Sequence, residues 1–160
     1  MLKQAEVIIS GFADEGPLDK RAEAQLTMLA ALGMSYYSLR FIDLGNGVKN
    51  VMKLNKAEVR RLKKLHGEFA IKVSSIGSPI GKVKLLDVDD GSANAYIPFK
   101  TYLKRDVARA IELAQEFDTK LIRGFSFYHP RGTRPEDHIN QAADQLAQIA
   151  ELCAQAGVFF

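Results

Sequence analysis

Gly157-Val158-Phe159-Phe160 is the stretch on which the fold turns. It reads as a helix-ending glycine followed by the first steps of a buried β-strand. Upstream lie four rounds of strand then helix, so a fifth round opens here. An open doubly wound sheet would follow its fifth strand with a helix, whereas a (β/α)8 barrel of about 250 residues would be half built at this point. Parallel strands joined by helices need both sheet faces covered and both edges dealt with. These 160 residues are therefore expected to be roughly the first half of a larger α/β protein.

Working back from that stretch, strands are expected at Glu6–Gly11, with Val7-Ile8-Ile9 buried, at Tyr36–Phe41, at Phe69–Ser75 and at Lys120–Phe127. Counting the one at Val158, they start about 30, 34, 50 and 38 residues apart, each the size of one βαβ step. Gly16-Pro17 opens helix one, with Ala22, Leu26, Leu29 and Ala30 facing inward and Gly33 closing it. Asn55 and Glu58 form a capping box for helix two, stapled by Leu54 and Val59, and Gly67 lies near its end. Helix three carries Phe99, Leu103, Val107, Ile111 and Ala114 on one side. Thr133 with Glu136 caps helix four. The long third interval is a loop excursion from Gly77 to about Ile97. No linker or second domain is visible, so residues 1–160 are expected to form a single domain with a parallel sheet.

The composition, 47% hydrophobic and 26% charged, is that of a soluble globular protein. No apolar run reaches the roughly 18–20 residues of a membrane helix, and the N-terminus lacks a signal-peptide core, so the expected location is the cytoplasm. The single cysteine, Cys153, excludes an internal disulfide and cysteine-pair zinc sites. It falls in series with Ile139, Leu146 and Ile149 and reads as a buried apolar residue. Net charge is +3. The basic run Arg60-Arg61-Leu62-Lys63-Lys64 reads as a solvated helix face rather than a nucleic-acid patch, since no stacking aromatics interleave it. Neither nucleic acid nor membrane is expected as a partner.

In both architectures ligands meet the carboxyl ends of the strands, and those ends are polar here. They supply the candidate substrate contacts: Asp14, Glu15, Arg40, Ser75, Ser78, Lys82, Arg123, Ser126 and His129. These are expected to converge at one end of the sheet. Asp14 and Glu15 have a second reading, as acids at the positive end of helix one. Arg40 and Arg123 are costly to bury alone, and an ion pair with Asp14 or Glu15 would satisfy them. The stretch Ser75–Lys82 holds a proline and two glycines, and the glycine amides could donate to hydroxyl or phosphate oxygens. It is no P-loop, and no G-x-G-x-x-G follows strand one. Asp87-Val88-Asp89-Asp90-Gly91 fails the EF-hand register, because Ser92 and Pro98 stand where glycine and glutamate are required, and reads as a solvated acidic loop. No catalytic residue and no metal ligand is assigned.

Phe12-Ala13-Asp14-Glu15, Leu39-Arg40, Lys49-Asn50-Val51, Ser74 through Lys82, and Ile122 through Tyr128 resemble the sugar phosphate isomerase/epimerase proteins, the xylose-isomerase-like TIM barrels. The resemblance spans nearly the whole chain and keeps its motifs in order. It implies a (β/α)8 barrel, of which this chain supplies the first four βα units and the start of strand five. It implies aldose–ketose isomerisation or epimerisation of a small sugar or sugar phosphate at a divalent metal: manganese, magnesium, cobalt or zinc. The family's ligands come from strands five to eight, so none is expected in this chain, and alone it is expected to show no metal-dependent isomerisation. Two alternatives stay open: a metal-dependent phosphodiesterase of the endonuclease IV type, and a sugar-binding barrel without turnover. A homo-oligomer is open as well. Lys84 to Tyr96 departs from the family's plainer connection.

Overall fold

A computed structural model describes residues 7–160. The start of strand one, Glu6, lies outside the described residues. The chain divides into two compact units, one ending at Ser75 and one spanning Ile76–Phe160.

In the first unit, a 3-10 turn (Ala13–Glu15) precedes α1 (Ala22–Ala31), β1 (Tyr36–Leu39), β2 (Phe41–Asp43), β3 (Val48–Asn50) and α2 (Lys56–Phe69). β4 (Lys72–Ile80) begins here and continues into the second unit. Strand one does not form a ladder. It reaches β1 through a single parallel bridge, Phe12 to Ser38, with the Ser38 amide donating to the Gly11 carbonyl at 2.8 Å. Val7, Ile8 and Ile9 are exposed rather than buried, since one bridge does not seat a strand. Helix one starts at Ala22, five residues beyond Pro17, and Ala30 faces solvent while Leu26 and Leu29 are buried. Gly33 closes it as expected, at φ +68°, with the Met34 amide donating to the Leu29 carbonyl.

The expected strand Tyr36–Phe41 breaks at Arg40. Its far part becomes a hairpin, with Phe41 opposite Asn50 and Asp43 opposite Val48. Gly45 and Gly47, at φ +94° and +82°, turn it, and Asp43 accepts the Gly45 amide. The capping box of α2 is as read: Asn55 Oδ1 accepts from Ala57 N and Glu58 N, and Glu58 Oε2 accepts from Asn55 N, each at 2.9 Å. Leu54 and Val59 are both buried. The helix runs past Gly67 and ends where Ala70 turns left-handed, so the next strand starts at Lys72. Its inner stripe is Val59, Leu62 and His66. Arg60, Lys63 and Lys64 lie on its exposed face, and Arg61 donates to the Leu44 carbonyl and pairs with Glu23.

In the second unit, the rest of β4 pairs in parallel with β5 (Ile122–Gly124), Ile76 opposite Ile122 and Ile80 opposite Gly124. The register slips between those pairs, because Ser78-Pro79 forms a bulge where proline has no amide to offer. α3 (Phe99–Tyr102), a π-turn (Leu103–Val107) and α4 (Ala108–Glu116) make one continuous helical run. The π-turn shifts the inner stripe to Tyr102, Val107, Ala110, Leu113 and Ala114, so Leu103 and Ile111 are only half-buried. α5 (Ile139–Gln155) buries Ile149 and Cys153, while Ile139 is exposed. Thr133 caps nothing; its hydroxyl turns back to the Pro130 carbonyl at 2.7 Å. Gly157 ends α5 at φ +74°, Val158 is buried, and Phe159 bridges Leu121 in parallel. The fifth strand thus opens beside β5.

Beneath β1, the Tyr37 hydroxyl meets His66 Nε2 at 2.7 Å, both groups buried. Burial lowers the His66 pKa to about 4, against an unfolded value near 6.5. Between those values the unfolded chain takes up a proton that the folded chain refuses. Stability therefore falls as pH drops from 6.5 towards 4, by on the order of 3 kcal/mol. Urea unfolding of Tyr37→Phe/His66→Phe is expected to show a shallower fall over that window than the wild type. Gly81, at φ +87°, sets a second test, because a Cβ there would lie 1.9 Å from the Phe125 carbonyl oxygen, whereas one at Gly91 would meet nothing. Gly81→Ala is expected to cost about 2–4 kcal/mol, and Gly91→Ala about 1 kcal/mol, in the same assay.

Candidate functional site

Two clusters of strand-end residues form, one in each unit. In the first, Arg40 leaves β1 and reaches the 3-10 turn. Its Nη2 lies 2.6 Å from Asp14 Oδ2 and 2.7 Å from Glu15 Oε1, and its Nε donates to Asp14 at 3.0 Å. The guanidinium stands over the Phe12 ring at 4.4 Å and the Phe41 ring at 5.4 Å. The hydrogen bonds it donates to Asp14 hold it charged, with its pKa raised. Asp14 is 7% exposed and Glu15 63%, so one carboxylate is consumed by the pair and the other stays accessible. Helix one begins too late for either acid to serve it; their place is to hold Arg40. Ser75 shares its hydroxyl with Ser38 at 2.6 Å.

In the second unit the β4 bulge and the exit of β5 interlock. The fully buried Ser78 donates its hydroxyl to the Arg123 carbonyl at 2.5 Å and accepts the Ile80 amide at 3.2 Å. Arg123 Nη2 donates back to the Ser78 carbonyl at 3.4 Å. Gly81 N donates to the Tyr102 hydroxyl and Lys82 N to the Pro79 carbonyl. The turn's amides are thus committed internally and form no ligand cradle. Side chains remain. Lys82 Nζ stands 4.4 Å from the Phe125 ring centroid and the Arg123 guanidinium 4.9 Å, two cations at one aromatic ring. Phe127 takes φ +70°, uncommon for a bulky residue, with its ring against Phe99 and Tyr102. Ser126 is exposed. His129 is exposed too, stacked on His138 at 6.3 Å, with both rings at the Thr133 hydroxyl.

The sequence model of the xylose isomerase-like TIM barrels matches residues 26–160. The chain belongs to that family. Its fold matches the probable 3-DHS dehydratase AsbF of petrobactin synthesis from Bacillus anthracis, at 16% identity and a TM-score of 0.62, over 95% of this chain and 50% of that one. A sugar phosphate isomerase/epimerase from Parabacteroides distasonis matches at 14% and 0.61, over 99% and 51%. A xylose isomerase-like TIM barrel protein from Mycobacterium smegmatis, in complex with magnesium, matches at 15% and 0.60, over 94% and 52%. The chain spans about half the length of these structures. No curated protein matches it in sequence.

Sequence reading of this half TIM barrel found the charged residues and missed the rings that hold them. Phe12, Phe41 and Phe125 each adjoin a predicted strand end, and that adjacency was the available signal. It also took Asp90 for solvated. Asp90 instead pairs with Lys84 at 2.7 Å, the two side chains 6% and 11% exposed. Lys84 holds its carboxyl well below the usual carboxylate range. Among the described residues, no group of three or more histidine, cysteine or acidic side chains could hold a metal ion. No helix among them is long and apolar enough to cross a membrane.

Arg40→Met would leave Asp14 buried without its counter-charge. Loss of about 2–4 kcal/mol is expected in urea unfolding, with partial recovery in Arg40→Met/Asp14→Asn. A single variant as stable as the wild type would show that the pair is incidental.

Proposed function

We propose that the complete protein is a sugar or sugar-phosphate isomerase or epimerase, and that this chain supplies the substrate-orienting side of its site. The family and the fold support this reading. The observation that carries it is the pair of cations, Lys82 and Arg123, at the Phe125 ring on the exits of β4 and β5. An exposed lysine and an anchored arginine suit hydroxyl or phosphate oxygens. Arg40, held by Asp14 and Glu15, and His129 add donors at the exits of β1 and β5. Ser75 and Ser126 complete the set, and Ser78 acts by fixing Arg123. On this reading residues 1–160 belong to a single barrel domain.

A divalent metal (manganese, magnesium, cobalt or zinc) would be held by residues outside this chain. The side chains described here do not form a ligand set for it, and no step is assigned through it. His66 is committed to Tyr37, and His138 stacks on His129. A histidine-rich phosphodiesterase centre therefore gains no support among the described residues.

Proton exchange in deuterium oxide tests the reading. A protein that contains this sequence and completes the barrel is incubated with ketoses and ketose phosphates and each of the four metals. Exchange at the carbon beside the carbonyl, read by proton NMR, is expected with metal and absent with chelator. Lys82→Met and Arg123→Met are each expected to raise KM about tenfold for a phosphorylated substrate. Absence of both exchange and interconversion with every sugar and metal would overturn the isomerase reading.

A further inference from the structure

We propose that the Lys84–Tyr96 excursion is the mount of His129, and that Asp90 is the positioning residue that locks it. The excursion has almost no regular secondary structure, yet it is tied down at both ends. Lys84 bridges Tyr128 in parallel, and the Lys84 amide donates to the Ala95 carbonyl at 2.8 Å, which closes the segment on itself. Asp90 organises what lies between. Its Oδ1 accepts from Lys84 Nζ at 2.7 Å and from Ser92 N at 3.1 Å. Lys84 Nζ also donates to the Val88 carbonyl at 2.9 Å.

The second oxygen of Asp90 reaches the neighbouring loop. Oδ2 accepts the Arg131 amide at 3.1 Å, and Arg131 Nη1 donates to the Gly91 carbonyl at 3.4 Å. On the other side of His129, Tyr128 N donates to the Val83 carbonyl and Leu85 N to the Tyr128 carbonyl, each at 2.9 Å. The chain carrying His129 is thus suspended from residues 83–91 at both of its flanks, Tyr128 and Arg131. A carboxylate shared between a largely covered lysine and two backbone amides is hard to replace, because neutralising it leaves Lys84 without its counter-charge. Asp89, one residue earlier, accepts only the Gly91 amide and binds nothing across the gap.

The mechanical half of this proposal stands on the hydrogen bonds alone; its effect on substrate rests on the reading that His129 contacts sugar. Hydrogen exchange by NMR tests the first half, with Asp90→Asn and Asp90→Ala against Asp89→Asn. Amides of Ser92 and Arg131 are expected to exchange at least about tenfold faster in both Asp90 variants. The cross-relaxation between the His129 and His138 rings is expected to vanish, while the helical amides of Leu113 and Cys153 stay protected. Asp89→Asn is expected to match the wild type. Unchanged exchange at Arg131 with the His129–His138 contact intact would overturn the proposal. In the barrel-completing protein, Asp90→Asn is expected to raise KM about fivefold with kcat within about twofold. Equal loss in kcat alone would overturn the positioning role. A wild type without sugar turnover would sink the isomerase reading and leave exchange and cross-relaxation to decide the mount.

Discussion

The chain leaving β4 comes so close to the Phe125 carbonyl that only a glycine fits at position 81. A Cβ there would sit 1.9 Å from that oxygen, and the backbone is left-handed as well. This approach sets much of the second unit. It lets Phe125 N reach the Ile80 carbonyl, and it carries Val83 and Leu85 on to pair with Tyr128. Lys82 and Arg123 then arrive at the same aromatic ring. The Ser78-Pro79 bulge makes the approach possible, by inserting residues into β4 that β5 does not match and by freeing a hydroxyl to fasten the Arg123 carbonyl.

The first unit solves a different problem. An arginine at the end of a strand needs a counter-charge more than it needs packing, because an unpaired buried charge costs several kcal/mol. Arg40 receives two acids from a single 3-10 turn and two aromatic faces, one from its neighbour Phe41 and one from Phe12 beside that turn. The acids differ in burial, so the arrangement combines a structural pair with a residual acceptor at Glu15. The paired carboxylates fix the orientation of the guanidinium.

Local signals were legible. The Asn55–Glu58 capping box, the glycine closures of α1 and α5, and the opening of a fifth strand after Gly157 all depend on residues within a few positions of one another. Signals that needed a neighbour were misread. Val7-Ile8-Ile9 is as apolar as a buried strand, but apolarity does not supply a ladder. The inner stripe of the third helix was drawn with a 3.6-residue period, and the π-turn at Leu103–Val107 shifted it. Thr133 with Glu136 has the spacing of a capping box, yet its hydroxyl satisfies Pro130 instead. The Gly45-Asn46-Gly47 turn was in plain view and signals the hairpin that the single-strand reading passed over.

By itself the sequence determined the alternation of strands and helices, the parallel α/β class, the family, and which strand ends are polar. Those properties follow from hydrophobic periodicity, capping chemistry and motif order, all written in residues near one another. Only the tertiary structure decided which charges are matched: that Arg40 takes both Asp14 and Glu15, that Asp90 pairs with Lys84, and that His129 hangs from a loop some forty residues earlier in the chain. An ion pair depends on a few ångströms of separation between residues far apart in sequence, and composition carries no record of that distance.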